Sequence, residues 1–275
     1  MSVRSQMANV RRRVLSSCHR RLVPLGAHGP IITFSFDDFP RTALTIGADI
    51  LERVGARATY YVAMSLMGTT NNLGEQFHAE DLVSVVKRGH ELASHTLRHL
   101  SARRVGYSAF HDDVKRGEQA IRGKTTGLAT SGNFAYPYGD VTLHVKKKLG
   151  PDFMSCRGTY GGVNTLDIDL NLLRANSLYG DIDRAEAAKR LVLENEKQNG
   201  WLIFYSHDVT ARPSPYGCTP QLLAAICSFA ANRKARFMTV AQVMRELGQH
   251  NPQSLEVAKA NESMASKTPL TYSLQ

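Results

Sequence analysis

Short apolar runs alternate with helical patterns through the central part of the chain. Five runs have the length and residue types of buried strands, and they cover residues 31–36, 58–63, 91–94, 133–136 and 201–206. Weaker patterns predict further strands at residues 153–156 and 172–175, and a last unit includes a strand at residues 237–239. This alternation favours parallel β/α units over a helical bundle, and about seven or eight such units close most naturally into a barrel.

Capping and breaking residues predict where several of the intervening helices begin and end. Pro40 suits the first turn of a helix, and Gly55 is expected to end it. Ser108 is a candidate N-cap, and Asp183 with Glu186 has the spacing of a capping box. The chain is therefore predicted to form an α/β domain in which helices follow strands.

The positive charge of the chain is concentrated at one end. The formal net charge is +10, and residues 1–29 contain six arginines and no acidic residue. We interpret residues 1–29 as a flexible basic extension, residues 30–249 as the globular domain and residues 250–275 as a disordered polar tail. A solvated extension is the simplest interpretation, and contact with anionic lipid head groups or a polyanionic substrate is the alternative.

Several classes of protein are disfavoured by the features that the sequence lacks. No stretch approaches the roughly 20 apolar residues that span a bilayer, and no apolar signal segment follows the N-terminal arginines. No phosphate-binding glycine motif is present, and neither nucleotide nor nucleic acid is expected as a partner. The four cysteines lack zinc-binding spacing and are expected to be reduced thiols. The expected compartment is the cytoplasm, with a membrane-peripheral location as the alternative.

Chemically reactive residues follow several of the apolar runs. Asp37 and Asp38 follow the first run, His95 and His99 follow the third, and His207 follows the run at residues 201–206. Residues at the downstream ends of parallel strands converge at one end of a barrel. If residues 95–99 form a helical turn, their two imidazoles lie on one side and can bind the same cation.

One of the two adjacent aspartates would complete such a metal site. Because successive side chains on an extended or irregular backbone diverge, we expect Asp37 and Asp38 to have different roles. One would bind the metal, and the other would act as a general base toward a water molecule. The histidine pair alone is a weak signal, but together with the acids it favours a metal-dependent hydrolase. The structural alternatives are that an aspartate caps the next helix and that His207 is a core histidine.

These segments resemble the motifs of a known family, the polysaccharide deacetylases of carbohydrate esterase family 4. That family has a T-F-D-D motif, an H-[ST]-x-x-H motif, a third motif similar to Y-P-Y-G, and a final strand that ends in histidine. In chain order, the matching residues are Thr33-Phe34-Ser35-Phe36-Asp37-Asp38, His95-Thr96-Leu97-Arg98-His99, Tyr136-Pro137-Tyr138-Gly139 and 202–207. The resemblance covers residues 30–245, and the ordered set is specific although each piece alone is not.

The resemblance implies a distorted (β/α) barrel, commonly seven-stranded, that removes N-acetyl or O-acetyl groups from sugars. The expected partner is an acetylated sugar or glycan, and the expected cofactor is a divalent metal ion, zinc above all. The family also implies an oxyanion hole to which the Tyr138 backbone N–H, following Pro137, contributes together with the metal. The remaining implied roles are Asp37 as general base, His207 as general acid, and Asp38, His95 and His99 as metal ligands.

The sequence departs from the family in two places. The third motif usually begins with an arginine that orients the base, and Ala135 takes that place here. The fourth motif, an acidic element that ends in tryptophan, has no clear counterpart. Arg157 follows a predicted strand, and it is our candidate to supply the missing guanidinium and keep Asp37 ionised.

Two other functions stay open from the sequence. Two histidines and one carboxylate also describe the metal site of non-haem iron(II) oxygenases, although such enzymes need neither the second aspartate nor His207. The other alternative is a non-catalytic, metal-containing glycan-binding protein. Acetate release from an acetylated aminosugar, measured with and without chelator, distinguishes a deacetylase from both.

Overall fold

The structure is a computed structural model that describes residues 3–125 and 131–249, so the predicted tail at 250–275 lies outside the described residues. The strands are β1 (Leu22–Pro24), β2 (Ile31–Asp38), β3 (Ala58–Val62), β4 (Thr70–Asn71), β5 (Gly74–Glu75), β6 (Glu91–Ser94), β7 (Asn133–Ala135), β8 (Ser155–Arg157), β9 (Asp167–Asp169), β10 (Asn176–Ser177), β11 (Trp201–Ser206) and β12 (Arg236–Phe237). The α-helices are α1 (Val3–Ser17), α2 (Asp49–Glu52), α3 (Ala79–Lys87), α4 (Tyr107–Lys124), α5 (Leu143–Leu149), α6 (Ala185–Gln198), α7 (Pro220–Asn232) and α8 (Val240–Glu246).

Seven parallel strands form a curled sheet in the order β10-β11-β2-β3-β6-β7-β8. The short strand β12 pairs with the beginning of β2. At the far edge, Arg157 of β8 forms a parallel bridge with Leu173, in the segment that leads into β10. That segment connects the two edges of the sheet. The predicted fold, a distorted (β/α) barrel with seven strands, is confirmed.

The two faces of each strand have different surroundings, as the pleat of a strand requires. Phe34 and Phe36 of β2 belong to the main core cluster, which also contains apolar residues of α3 and α7. The alternate residues point to the inside of the barrel, where Trp201 Nε1 donates a hydrogen bond of 2.9 Å to Thr33 Oγ1. The continuous apolar runs of the sequence reflect this burial of both faces.

Polar side chains fill the inside of the barrel near the N-terminal ends of the strands. The buried Glu91 carboxylate accepts hydrogen bonds of 2.8 Å from Thr59 Oγ1 and Asn133 Nδ2. It also accepts one of 2.8 Å from the Ala241 N–H, in the first turn of α8. These partners, and the positive end of the helix dipole, stabilise a buried carboxylate. The C-terminal ends of the strands are left for the reactive residues.

Part of the predicted basic extension packs against the barrel. Lys146 of α5 is fully buried, and its Nζ donates to the carbonyl oxygens of Leu15 and Cys18 at 2.7 and 2.9 Å. The same ammonium group forms an ion pair of 2.6 Å with Asp169 Oδ2. In addition, β1 pairs with β9. The domain boundaries stay a prediction, but these contacts bring the end of α1 and the residues after it onto the barrel.

Two predicted caps and one predicted strand are wrong. The N-cap of α4 is Gly106 rather than Ser108, because the extended backbone that precedes the helix ends two residues earlier than expected. Asp183 does not cap α6; instead, the Asp181 side chain accepts the Ile182 N–H and begins a short 3-10 turn before that helix. The strand predicted at 172–175 is replaced by β10, because residues 170–173 bond to β8 instead of continuing beside β11.

The described residues contain eight α-helices and four cysteines. No helix among them is both long and apolar enough to cross a membrane. The four cysteines are unpaired, as expected, and three of them, Cys156, Cys218 and Cys227, are buried.

Candidate metal centre and active site

A cavity of about 680 Å³ opens at the C-terminal ends of the barrel strands. Pro137 and Arg157 are buried and do not line it. The predicted site residues that line it are Asp37, Asp38, His95, His99, Tyr138 and His207. The structure therefore brings residues from four distant parts of the chain to one place, which the order of the parallel strands makes possible.

Three side chains in the cavity have the arrangement of a metal site. The ligand atoms of Asp38, His95 and His99 all lie within 4.8 Å of one another. Asp38 Oδ1 is 3.2 Å from His99 Nε2 and 3.7 Å from His95 Nε2. Two imidazoles and a carboxylate are a common ligand set for zinc and for other divalent transition metals.

The surroundings of these three residues fit a cation. Asp38 Oδ1 is buried without a hydrogen-bond partner. His95 Nδ1 lies 2.8 Å from the Ala135 carbonyl oxygen, which only accepts, so the proton is on Nδ1 and the lone pair of Nε2 faces the cluster. Burial lowers the pKa of His95 to about 3 and of His99 to about 4, and burial raises the pKa of Asp38 to about 6. The histidines are thus held in the neutral form that binds metals, and a cation would compensate the buried carboxylate.

The two histidines lie on a loop rather than on the helical turn that their spacing suggested. The loop follows β6, and Thr96 and His99 have positive φ angles of 70° and 55°. Asp113 of α4 holds this loop: its Oδ2 accepts hydrogen bonds from the Leu97 and Arg98 N–H groups at 3.1 and 2.9 Å. The four-residue spacing brings the imidazoles together because of this external support, and not because of helical periodicity.

A glycine of α4 allows the helix to approach the histidine loop. A Cβ atom at Gly117 would lie 2.6 Å from the Thr96 carbonyl carbon and 2.8 Å from the Leu97 nitrogen. Both atoms belong to the backbone, so the loop or the helix would have to move.

We expect Gly117→Ala to lower the affinity for a divalent cation by about tenfold or more, since displaced supporting groups typically cost that much. Zinc titration calorimetry measures the change. Gly123→Ala is the matched control, because Gly123 lies on the same helix and a Cβ there meets no atom within 4 Å. Equal metal affinity for both variants would contradict the proposed support.

Asp37 forms a buried ion pair with Arg157 and is not part of the cluster of Asp38, His95 and His99. Arg157 Nη2 donates to Asp37 Oδ1 and Oδ2, each at 2.6 Å. The guanidinium carbon lies 4.8 Å from the ring centroid of Tyr61 and 5.0 Å from that of Tyr205. Burial raises the pKa of Asp37, but Arg157, His95 and His207 lower it by more, so the net pKa is below its usual value. Asp37 is therefore an ionised carboxylate that is held in one orientation.

Arg157 lies directly beside Ala135 on the neighbouring strand. The two residues are register partners in the parallel pair β7 and β8, so their side chains lie on the same face. Ala135 contacts Ala93 and Tyr61 in a small buried cluster. The small side chains on β6 and β7 leave room for Tyr61 and for the arginine of the neighbouring strand. The guanidinium that the family resemblance places on β7 is thus supplied from β8.

The third motif forms a tight turn at the edge of the cavity. Pro137 begins a short 3-10 turn, and Tyr138 has a positive φ of 60°. Gly139 has φ +65°, and a Cβ there would lie 2.0 Å from Thr159 Oγ1, so glycine is required. The Tyr138 ring is 63% exposed, and its centroid lies 4.4 Å from that of His99. The turn brings Tyr138 to the cavity edge, with its ring beside that of His99.

His207 is oriented by the loop that follows β11. Its Nδ1 lies 3.1 Å from the Tyr216 carbonyl oxygen, so Nδ1 donates and Nε2 is left for the cavity. Asp208 is buried and holds this loop through the Ser214 N–H at 2.8 Å and the Ser214 hydroxyl. A Cβ at Gly217 would lie 2.4 Å from Asp208 Oδ1. The support of His207 is a backbone carbonyl instead of a carboxylate.

Several residues around the site have no signal in the sequence. Tyr179, Tyr205 and Tyr216 line the cavity on the His207 side, and Asn71 and Leu73 line it from the hairpin of β4 and β5. Tyrosines inside or next to apolar runs are usual core residues, and the hairpin strands are only two residues each. Their contribution to the cavity depends on the packing of segments that are distant in sequence.

Comparisons with known proteins agree with this architecture. Residues 26–152 match the family model described as polysaccharide deacetylase. The chain is similar to the Xyl-CE4 domain of a multidomain xylanase from the hindgut metagenome of Trinervitermes trinervoides, with 20% identity, a TM-score of 0.57, and coverage of 80% of this chain and 92% of that one. It is also similar to a family 4 acetyl xylan esterase from Clostridium thermocellum solved with cobalt, with 20% identity, a TM-score of 0.56, and coverage of 82% and 96%.

A third similar structure is the peptidoglycan deacetylase PdaC from Bacillus subtilis, with 18% identity, a TM-score of 0.50, and coverage of 88% of this chain and 99% of that one. No curated protein sequence matches the chain. At these identities the structural similarity shows the fold alone. The family match over residues 26–152 contains the first three motifs and confirms the resemblance to polysaccharide deacetylases that they indicate.

Proposed function

We propose that the protein is a metal-dependent hydrolase that removes acetyl groups, and N-acetyl groups above all, from a carbohydrate or glycan. The observation that carries this proposal is the division of the two adjacent aspartates. Asp37 is paired with Arg157, whereas Asp38 faces His95 and His99 in the same cavity. A hydrolase needs a metal ligand and a separate base, and this arrangement supplies both. The family match supports the acetylated carbohydrate as substrate.

Asp38, His95 and His99 would hold the metal, with zinc as the expected ion. When bound, a divalent cation polarises the acetyl carbonyl and lowers the pKa of a nearby water molecule. The burial of Asp38 and His95, together with a His99 side chain that is only 17% exposed, supports this role, because a largely dry site strengthens the interaction with the cation. Cobalt was found in the similar esterase from Clostridium thermocellum, so the native ion of the present protein has to be measured.

The remaining steps use groups of the chain itself. Asp37 accepts a proton from the attacking water at a carboxylate oxygen, while Arg157 keeps that carboxylate oriented. The Tyr138 backbone N–H, in the turn after Pro137, stabilises the negative charge that develops on the acetyl oxygen. His207, as the doubly protonated imidazolium, donates a proton from Nε2 to the departing nitrogen, while Nδ1–H keeps its hydrogen bond to the Tyr216 carbonyl.

The geometry favours hydrolysis over the two rival functions. An iron(II) oxygenase has no use for an ionised, arginine-paired carboxylate beside its metal ligands. A glycan-binding protein without activity would not need Asp37 and His207 as polar groups in the same cavity as the metal ligands.

The proposed cytoplasmic location and the contact of the N-terminal arginines with membranes stay predictions.

Acetate release tests the proposed function. We expect the zinc-loaded protein to release acetate from N-acetylglucosamine oligomers or acetylated polymers, and we expect a chelator to abolish the release because the metal ligands are then empty. Activity should return when zinc or cobalt is added back. Glycan binding without acetate release over a broad panel would support the binding protein, and oxygen-dependent turnover with iron would support the oxygenase.

A further inference from the structure

An arginine in the cavity wall has no role in the chemistry described above. Arg98 lies in the histidine loop, next to His99, and it lines the cavity. Among the described residues that line the cavity, it is the one lysine or arginine. The two acids of the lining, Asp37 and Asp38, are assigned to Arg157 and to the metal site.

The Arg98 side chain is held in one orientation. Its Nε donates to Asp113 Oδ1 at 2.6 Å, and its backbone N–H donates to Asp113 Oδ2 at 2.9 Å. The Asp113 side chain is fully buried, whereas the Arg98 side chain is 55% exposed. Neither terminal nitrogen of the guanidinium has a hydrogen-bond partner among the described residues. The fork of Nη1 and Nη2 is thus preorganised and free to bind a ligand.

The neighbouring wall suits a sugar ring. The exposed Tyr138 ring packs beside His99, and the Arg104 guanidinium carbon lies 6.0 Å from its centroid. Aromatic rings of this kind present an apolar face at small entropic cost. A sugar that occupies the cavity next to the metal ligands would therefore contact Tyr138 with its ring, and Arg98 lines the same cavity.

We propose that Arg98 recognises a carboxylate on the sugar next to the one that is deacetylated, so that the preferred substrate is an acidic N-acetylated glycan. The preference among substrates rests on the proposed deacetylase function. The binding of a carboxylate by Arg98 does not depend on that function. The two terminal nitrogens of an arginine match the two oxygens of a carboxylate in a bidentate contact. Asp113 neutralises the arginine only from the Nε side and leaves that contact open.

A matched pair of oligosaccharides tests the proposal. One is a tetrasaccharide that alternates N-acetylglucosamine with glucuronic acid, and the other is the same molecule with its carboxylates reduced to alcohols. We expect kcat/KM for acetate release by the zinc-loaded protein to be about 10-fold or more higher for the acidic form, since hydrogen bonds between two charged groups are stronger than those to a neutral hydroxyl group. The preference should arise in KM and decrease as salt concentration rises.

Three variants assign the preference to Arg98. Arg98→Gln should reduce the ratio of the two kcat/KM values to about one, and Arg98→Lys should restore only part of it, since an ammonium lacks the fork. Arg103→Gln is the control for net charge: Arg103 lies in the same loop region but does not line the cavity and pairs with Asp140 at 3.5 Å. That variant should keep the wild-type ratio.

Dissociation constants of both tetrasaccharides for the zinc-loaded protein separate this proposal from the proposed function. Equal constants for the acidic and reduced forms, or an unchanged preference in Arg98→Gln, would overturn the carboxylate site and leave deacetylation untouched. An Arg98-dependent preference in binding without any acetate release would support the carboxylate site and contradict the deacetylase.

Discussion

Asp37→Asn is expected to lower kcat/KM for acetate release by about 10²- to 10⁴-fold, which is the usual contribution of a general base. Asparagine has the same shape as aspartate, but it does not accept the proton of the attacking water. Metal affinity should stay within about threefold of the wild type, because Asp37 faces Arg157 and is outside the cluster of Asp38, His95 and His99. Acetate assays and zinc titrations on the same preparations measure both quantities.

Asp38→Asn is the matched control for that experiment. The two residues are adjacent in sequence and both are buried, but only Asp38 has an oxygen near the histidines. We expect this variant to lose most of its zinc affinity. If Asp37→Asn instead loses the metal and Asp38→Asn keeps it, the two roles are reversed and the proposed base is wrong.

Arg157→Ala is expected to have the second largest effect, on both activity and stability. Removal of one partner of a buried ion pair leaves the other charge uncompensated, and the free energy of unfolding should fall by about 3–5 kcal/mol. Without Arg157, burial dominates and the pKa of Asp37 rises. Because the base must be ionised, the acidic limb of the kcat/KM profile should move to higher pH. Urea denaturation and a pH profile measure these changes.

Two double variants test whether Arg157→Ala loses activity because Asp37 is no longer oriented or because the protein is less stable. Ala135→Arg combined with Arg157→Ala returns the guanidinium to β7, directly beside its present position, and should recover part of the lost activity. Asp37→Asn combined with Arg157→Met removes both charges and should be more stable than Arg157→Ala. An Arg157→Ala variant with full activity and an unchanged pH profile would remove Arg157 from the site.

The strands of the barrel and the candidate metal ligands could be predicted from local sequence. The first strand and the strand at 201–206 are continuous apolar runs because both faces of these strands are buried, and a local pattern is sufficient to identify them. Asp37, Asp38 and His207 follow such runs, so the order of parallel strands predicts that they meet. What the motifs did not predict is the conformation of the histidine loop, since α4 supports it from outside.

The contacts that hold the site together join residues far apart in sequence, and no periodicity reports them. Arg157 and Asp37 are 120 positions apart in the sequence. The position of Arg157 after a predicted strand was the only sequence feature that suggested this pairing. The pairing itself depends on how the barrel curls and on the small side chain of Ala135. The pattern of apolar residues within one segment indicates which faces of that segment are buried. The choice of partner for a buried charge depends on which segments share a layer of the barrel, and that follows from folding of the whole chain.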